Sequence, residues 1–141
     1  VMKSVDLIII NDGEVRMLAQ DDNLIRASRA LIKMVGCQTL IIKKGENGVV
    51  AFHDGEIISL PAYPTENVVD PTGCGDSFAG TIAAFLASNE GNISRDELRE
   101  ALIRATVTAS FTLESFGTSG LLNLTNEMFN SRLIEFERIL N

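Results

Sequence analysis

Cysteine, histidine, proline and basic residues are all scarce in this chain of 141 residues. Its two cysteines, Cys37 and Cys74, are too few for a disulfide framework and do not form a CxxC pair, which excludes a disulfide-stapled scaffold. The 12 basic residues are outnumbered by 19 acidic ones, for a net charge of −7. That balance argues against a sequence-independent nucleic-acid binder, whose affinity comes from neutralising phosphates, and against an anionic membrane surface. No apolar run approaches the ~20 residues of a membrane span. A basic start, apolar stretch and small-residue cleavage site are also missing from the first residues, so a cytoplasmic location is expected. Internal repeats, low-complexity tracts and flexible linkers are absent as well. What is there is ordinary for a soluble domain: 45% apolar and 22% charged residues, in a length that buries roughly 70% of its unfolded surface as one unit.

The pattern along the chain is that of an α/β layered fold. Val5 to Ile10 is a short β-branched run broken at Asn11-Asp12-Gly13, the signature of a buried strand. A short helix is expected from Glu14 to Ala19. Asp21-Asp22-Asn23 then supplies the N-cap of a second helix whose stripe of Leu24, Ala27, Leu31 and Val35 stops at Gly36. Thr39 to Lys44 is a second strand, and the helical crossover between the two strands implies a parallel pair. Asp54-Gly55 joins Val49–His53 to Glu56–Leu60, a strong hairpin signal. The three prolines, all within 61–71, mark a loop. Helices follow from about Ser77 to Ser88, from Arg95 to about Glu114 behind a Ser94/Glu97 capping box, and from Thr125 to Leu140. An irregular segment follows Gly117 and Gly120. Val1 to Ser4 reads as the tail of a helix feeding the first strand, so part of a larger sheet is expected to be absent.

Chemistry concentrates in Asp70-Pro71-Thr72-Gly73-Cys74-Gly75-Asp76-Ser77-Phe78-Ala79-Gly80. Two glycines just ahead of an apolar helix leave backbone N–H groups open at a helix N-terminus, a setting for anionic oxygens. Asp76 in the same turn suits a base that takes a proton from a hydroxyl while neighbouring N–H groups stabilise charge on a phosphoryl group. Asp is also a favoured N-cap residue, and the two roles are compatible. A serine-hydrolase reading of Gly75-Asp76-Ser77 lacks a downstream histidine, since the sole one, His53, lies upstream on a strand surface. Ala79 breaks the nucleophile elbow, no Walker A sequence exists, and Phe78 stands where a dinucleotide fingerprint needs glycine. Cys74 reads as a small residue in an alanine-sized slot rather than a reactive thiol, and Cys37 as core. Phe111, Leu113, Phe116, Phe129 and Phe136 form a core stripe, and the charges from Arg95 to Arg104 a solvated helix face.

The stretch from Asp70 to Gly80 resembles the second signature of the ribokinase-type, or PfkB, carbohydrate kinases, D-x-x-G-A-G-D-x-F-x-G, with Cys74 where that family often has Ala. Two further motifs follow the family order. Asn11-Asp12-Gly13-Glu14 is similar to its N-x-x-E motif, and Lys43-Lys44-Gly45-Glu46-Asn47-Gly48 to its nucleotide-loop T/K-x-G-x-x-G motif. The resemblance covers essentially the whole chain but only the C-terminal half of a family member. It implies a partial ribokinase-like α/β fold, a small sheet of parallel strands plus a β-hairpin packed with helices, with residues 1–141 as the nucleotide-binding and catalytic part.

By that resemblance, Asp76 is the base and the N–H groups of Gly73, Cys74 and Gly75 hold the transferred phosphoryl. Lys43, Gly45, Glu46 and Gly48 touch the phosphates and ribose of ATP, and the segment around Thr106 to Ser110, with Thr108, lines the adenine together with the Gly117 turn. Asn11 and Glu14 organise Mg²⁺, and Asp70 either faces a monovalent cation such as K⁺ or caps its loop. The implied activity is transfer of the ATP γ-phosphoryl to a hydroxyl of a sugar, sugar phosphate or nucleoside. The rival is a non-catalytic fragment that binds only nucleotide or a partner. Self-association, or dependence on the missing N-terminal half, follows from the incomplete sheet.

Overall fold

A computed structural model describes residues 5–90 and 93–141; the expectation for Val1 to Ser4 falls outside them. The chain forms two compact units, Val1–Pro61 and Ala62–Asn141.

The first unit is a four-stranded mixed sheet with two helices. Strand β1 (Leu7–Asn11) runs straight into helix α1 (Asp12–Ala19), and α2 (Leu24–Val35) leads to β2 (Thr39–Lys43). A single 3-10 turn, Gly45–Asn47, precedes β3 (Val49–His53) and β4 (Glu56–Leu60). The strand order is β1-β2-β3-β4, with β1 and β2 parallel and the other pairs antiparallel. The parallel pair is the one joined by helices and the antiparallel pairs by short turns, as connection length requires. Asn23 caps α2 by accepting from the Arg26 N–H, and Gly36 closes it in the left-handed region at φ 72°. In the hairpin, Asp54 and Gly55 both take positive φ, 49° and 84°, the pairing a two-residue turn between right-twisted strands demands. The core joins Ile8, Leu40, Ile42, Val50 and Phe52 of the sheet to Val15, Ala27 and Leu31 of the helices, with Cys37 at its margin.

His53 corrects the sequence reading. It is buried, 4% exposed, because β3 is covered along its whole length, and its Nδ1 pairs with Thr39 Oγ1 at 2.8 Å across the β2–β3 ladder. A neighbouring hydroxyl satisfies the ring where water cannot.

The second unit is helical. Its helices are α3 (Cys74–Ser88), α4 (Arg95–Leu113), the one-turn α5 (Ser119–Leu122) and α6 (Asn126–Leu140). Ser94 and Glu97 form the expected capping box and Thr125 caps α6. Helix α4 is the centre: α3, α5 and α6 all pack on it, and Leu98, Leu102, Ala105 and Val107 are fully buried. Its buried hydroxyls bond back to their own helix, Thr106 to the Leu102 carbonyl at 2.8 Å and Ser110 to that of Val107 at 2.6 Å. The one-turn α5 spans Gly120 and the start of the segment expected to be irregular. Gly120, its second residue, has no room for a side chain, since a Cβ there would lie 2.2 Å from the Phe111 carbonyl oxygen. Phe116 leaves the expected core stripe: it lies beyond the end of α4 and is 73% exposed, whereas Phe136 is fully buried. Among the described residues no helix is long and apolar enough to cross a membrane.

Candidate active site

In the first unit the singled-out residues collect at the carboxyl ends of the two parallel strands, the edge where open α/β sheets bind ligands. Asn11 closes β1 and stands in register with Lys43, which closes β2. Asn11 is also the N-cap of α1: its Oδ1 accepts the Glu14 N–H at 2.8 Å, and Glu14 Oε2 accepts the Asn11 N–H at 3.0 Å. These bonds take one oxygen of each side chain and leave Glu14 Oε1 uncommitted. A single free carboxylate oxygen suits a hard cation that keeps most of its water. Among the described residues no three His, Cys, Asp or Glu side chains converge as a metal-holding group. Asp12, beside this pair, accepts from Arg16 at 2.9 Å, and that hydrogen bond holds its carboxyl below the usual range.

The Lys43–Gly48 segment is a tight turn. The Lys44 N–H donates to the Gly48 carbonyl at 2.8 Å and the Gly48 N–H to that of Gly45 at 3.1 Å. Gly45 and Glu46 are exposed, and Lys43 is half-buried. Gly48, with φ 86° and ψ −141°, occupies backbone space that only glycine enters readily, and a Cβ there would lie 2.1 Å from the Leu60 carbonyl oxygen. This glycine is required by the sheet itself.

In the second unit the residues from Asp70 to Asp76 form one turn at the head of α3. Asp70 Oδ1 accepts the Thr72 N–H at 2.9 Å, and that bond lowers its pKa. Gly73, at φ 84°, is the N-cap and supplies no side-chain cap. This corrects the capping reading of Asp76, which is instead the third residue of the helix. The helix begins three residues earlier than the apolar stripe suggests because the left-handed Gly73 turns the chain before Cys74.

Which N–H groups are open follows directly. Thr72 donates to Asp70, Cys74 to the Pro71 carbonyl at 3.2 Å, and Ser77 to that of Gly73 at 2.9 Å. The N–H groups of Gly73, Gly75 and Asp76 have no partner among the described residues. The Asp76 carboxylate is exposed and likewise without a hydrogen bond or ion pair among them. A helix start with free donors and a free carboxylate can bind anionic oxygens and accept a proton in the same place. The Cys74 thiol lies 3.6 Å from the Ala109 carbonyl, and burial, with Asp70 adding to it, pushes its pKa up. That environment is the reverse of an activated thiol's.

Thr112 Oγ1 donates to Ser77 Oγ at 3.0 Å, fixing the start of α3 on α4. One turn earlier on α4, half-buried Thr108 donates to the Arg104 carbonyl at 3.0 Å. Its hydroxyl proton is thereby taken, leaving a methyl and an acceptor lone pair to line any pocket. The sequence reading missed Tyr63 and Arg132, which hold the loop ahead of this turn. The signal present was a basic residue inside the apolar spacing Phe129, Leu133, Phe136.

The pfkB family carbohydrate kinase profile matches residues 1–124. The chain is 35% identical over 108 residues to the cytidine kinase of Thermococcus kodakarensis, covering 74% of this chain and 37% of that protein. With the ribokinase of Mus musculus it shares 36% over 115 residues, or 77% of this chain and 34% of the relative. The crystal structure of aminoimidazole riboside kinase from Salmonella enterica, complexed with aminoimidazole riboside and an ATP analog, superimposes with a TM-score of 0.79 at 25% identity. That match covers 94% of this chain and 43% of the other. The chain thus spans less than half the length of each of these proteins. Motif order, sheet topology and these likenesses agree: the chain belongs to the pfkB family of carbohydrate kinases and carries part of its ribokinase-like fold.

Proposed function

We propose that this chain is the nucleotide-binding and catalytic part of an ATP-dependent kinase that phosphorylates a hydroxyl of a sugar, sugar phosphate or nucleoside. The observation that carries the reading is the turn at the head of α3, where open N–H groups of Gly75 and Asp76 accompany an unpaired carboxylate on Asp76. The relatives are kinases of sugars and nucleosides by name, which supports the acceptor class.

In this reading Asp76 takes the proton of the acceptor hydroxyl as its oxygen bonds to the γ-phosphorus, and the bond to the β–γ bridging oxygen breaks to leave ADP. The Gly73, Gly75 and Asp76 N–H groups donate to the oxygens of the transferred group, and the α3 dipole adds to them. Cys74 keeps the turn in shape through its bonds to Pro71 and Ala109. Lys43 offers a point charge to phosphate, the exposed Gly45 turn lets backbone approach the nucleotide, and Glu46 faces its ribose. Within the Thr106 to Ser110 segment, half-buried Thr108 lines the adenine. Glu14, through its free oxygen, and Asn11 hold Mg²⁺, which when bound offsets phosphate charge. Asp70 faces a monovalent cation such as K⁺.

Calorimetric titration of Mg-ADP and Mg-ATP into the folded chain tests the reading, with Gly75→Val as control. Saturable binding lost in the variant is the expected result, and its absence in a well-folded chain overturns the reading. The chain alone is expected to bind without transfer, and turnover of any sugar or nucleoside by it would refute the rival of a non-catalytic nucleotide-binding fragment.

A further inference from the structure

We propose that Arg132 is a positioning residue for the Gly73–Asp76 turn, acting through the loop of residues 62–73; the meaning of that turn rests on the proposed function, whereas its mechanical support does not. The Arg132 side chain, 19% exposed, leaves α6 and meets the last turn of α4. Its Nη2 donates to Glu114 Oε2 at 2.8 Å and its Nη1 to Ser110 Oγ at 3.0 Å. The guanidinium lies over the Phe111 ring at 3.8 Å and over the Tyr63 ring at 4.9 Å from the centroids. One group thereby joins α6, α4 and the loop.

Glu114 is the C-cap of α4, where a carboxylate opposes the negative end of the helix dipole. The cation of Arg132 offsets that cost and fixes the carboxylate, whose other oxygen accepts from Thr65 Oγ1 at 2.7 Å. Tyr63 adds a bond to Glu135 at 2.7 Å and an edge-on contact with Phe136. The loop has a second tie at the same place: the N–H groups of Val69 and Asp70 donate to the Leu113 carbonyl at 2.9 and 3.1 Å. Between the ties Glu66, Asn67 and Val68 are exposed. Asp70 then accepts from Thr72, and Gly73 follows. The loop is therefore held where it meets the end of α4 and, through Tyr63, the face of α6, and Arg132 joins those two places. Lysine cannot substitute, because it lacks both the planar fork and the stacking face.

Amide exchange by NMR on the whole chain tests this with Arg132→Lys, which keeps the charge. The bonded amides of Val69, Asp70, Thr72 and Cys74 should exchange about tenfold faster, with those of Ile82, Leu102 and Val107 unchanged. Unchanged loop amides overturn the proposal, as does uniform loosening of all these sites, which would mark Arg132 as general core support. Should that variant not fold, Thr65→Val decides, since it cuts the loop from Glu114 and leaves Arg132 in place. It should speed the same amides by a smaller factor, and no change would overturn the proposal. Mg-ADP titration separates the two readings. Loosened loop amides in a chain that never bound nucleotide would sink the kinase reading and uphold the positioning role.

Discussion

Asn11 and Glu14 each cap the other: one carboxamide oxygen and one carboxylate oxygen satisfy the two backbone N–H groups that open α1, at 2.8 and 3.0 Å. The pair proposed to organise a cation is therefore also the start of the helix: Glu14 keeps Oε1 for a cation, whereas Asn11 has only the Oδ1 that already caps α1. Asn11→Ala should cost about 1 kcal/mol in urea unfolding, the usual penalty for a lost N-cap. Glu14→Gln retains an acceptor for the Asn11 N–H and should stay within about 0.5 kcal/mol of wild type. If Glu14 serves the cation, the same variant weakens Mg-ADP binding while leaving any Mg-free ADP binding unchanged.

Gly45 and Gly48 bracket one turn but should respond differently. At Gly48 a Cβ would meet the backbone of Leu60 and Pro61 within 2.1 to 2.8 Å, with no flexible side chain to yield. Gly48→Ala should destabilise the chain by about 3 kcal/mol, combining backbone strain with displacement of the end of β4. At Gly45 the left-handed φ of 57° faces open space, so Gly45→Ala should cost only about 1 to 2 kcal/mol. Urea denaturation reads both. A larger loss of nucleotide affinity than of stability in Gly45→Ala would separate backbone approach to phosphate from folding.

Local signals made most of this fold legible. The Asp54-Gly55 turn, the Asn23 and Ser94 caps and the Gly36 stop are each decided by a few adjacent residues, and each formed as its chemistry dictates. The misreadings share a different cause. The burial of His53 depends on β3 being covered along its length, with Thr39 pairing its ring across the sheet, and the start of α3 depends on Gly73 turning left-handed, neither of which shows as periodicity. The order of the three motifs located the candidate site. Which N–H groups stay open did not follow from sequence, because Cys74 is occupied by Pro71 through loop geometry. The Arg132 cluster links positions 63, 65, 110, 114 and 132, too far apart for any window to join.

The raised pKa of the Cys74 thiol gives a pH-dependent test. Burial is the larger cause and the Asp70 charge the second. A raised pKa leaves less thiolate at any pH below it, so alkylation of the folded chain at pH 8 should run slower at Cys74 than for a free thiol. Asp70→Asn removes the charge but not the burial, and should speed the reaction without bringing it to the free-thiol rate. Faster alkylation of wild-type Cys74 than of a free thiol would show that the helix N-terminus outweighs burial.

Asp76 is the sharpest test, because chemistry and stability part there. It is exposed and has no hydrogen bond or ion pair among the described residues, so Asp76→Asn removes nothing the fold uses except a favourable charge near the α3 N-terminus. The expected change in stability is about 0.3 to 1 kcal/mol. Loss of a general base, by contrast, slows proton transfer by about 10² to 10⁴. In a chain competent for phosphotransfer, Asp76→Asn should lower kcat by that factor and leave Mg-ADP affinity within about twofold, since the backbone donors remain. Single-turnover phosphorylation with calorimetry on the same preparation measures both. A variant that keeps its kcat would remove Asp76 from the base role, and one that instead loses ADP affinity would assign it to binding.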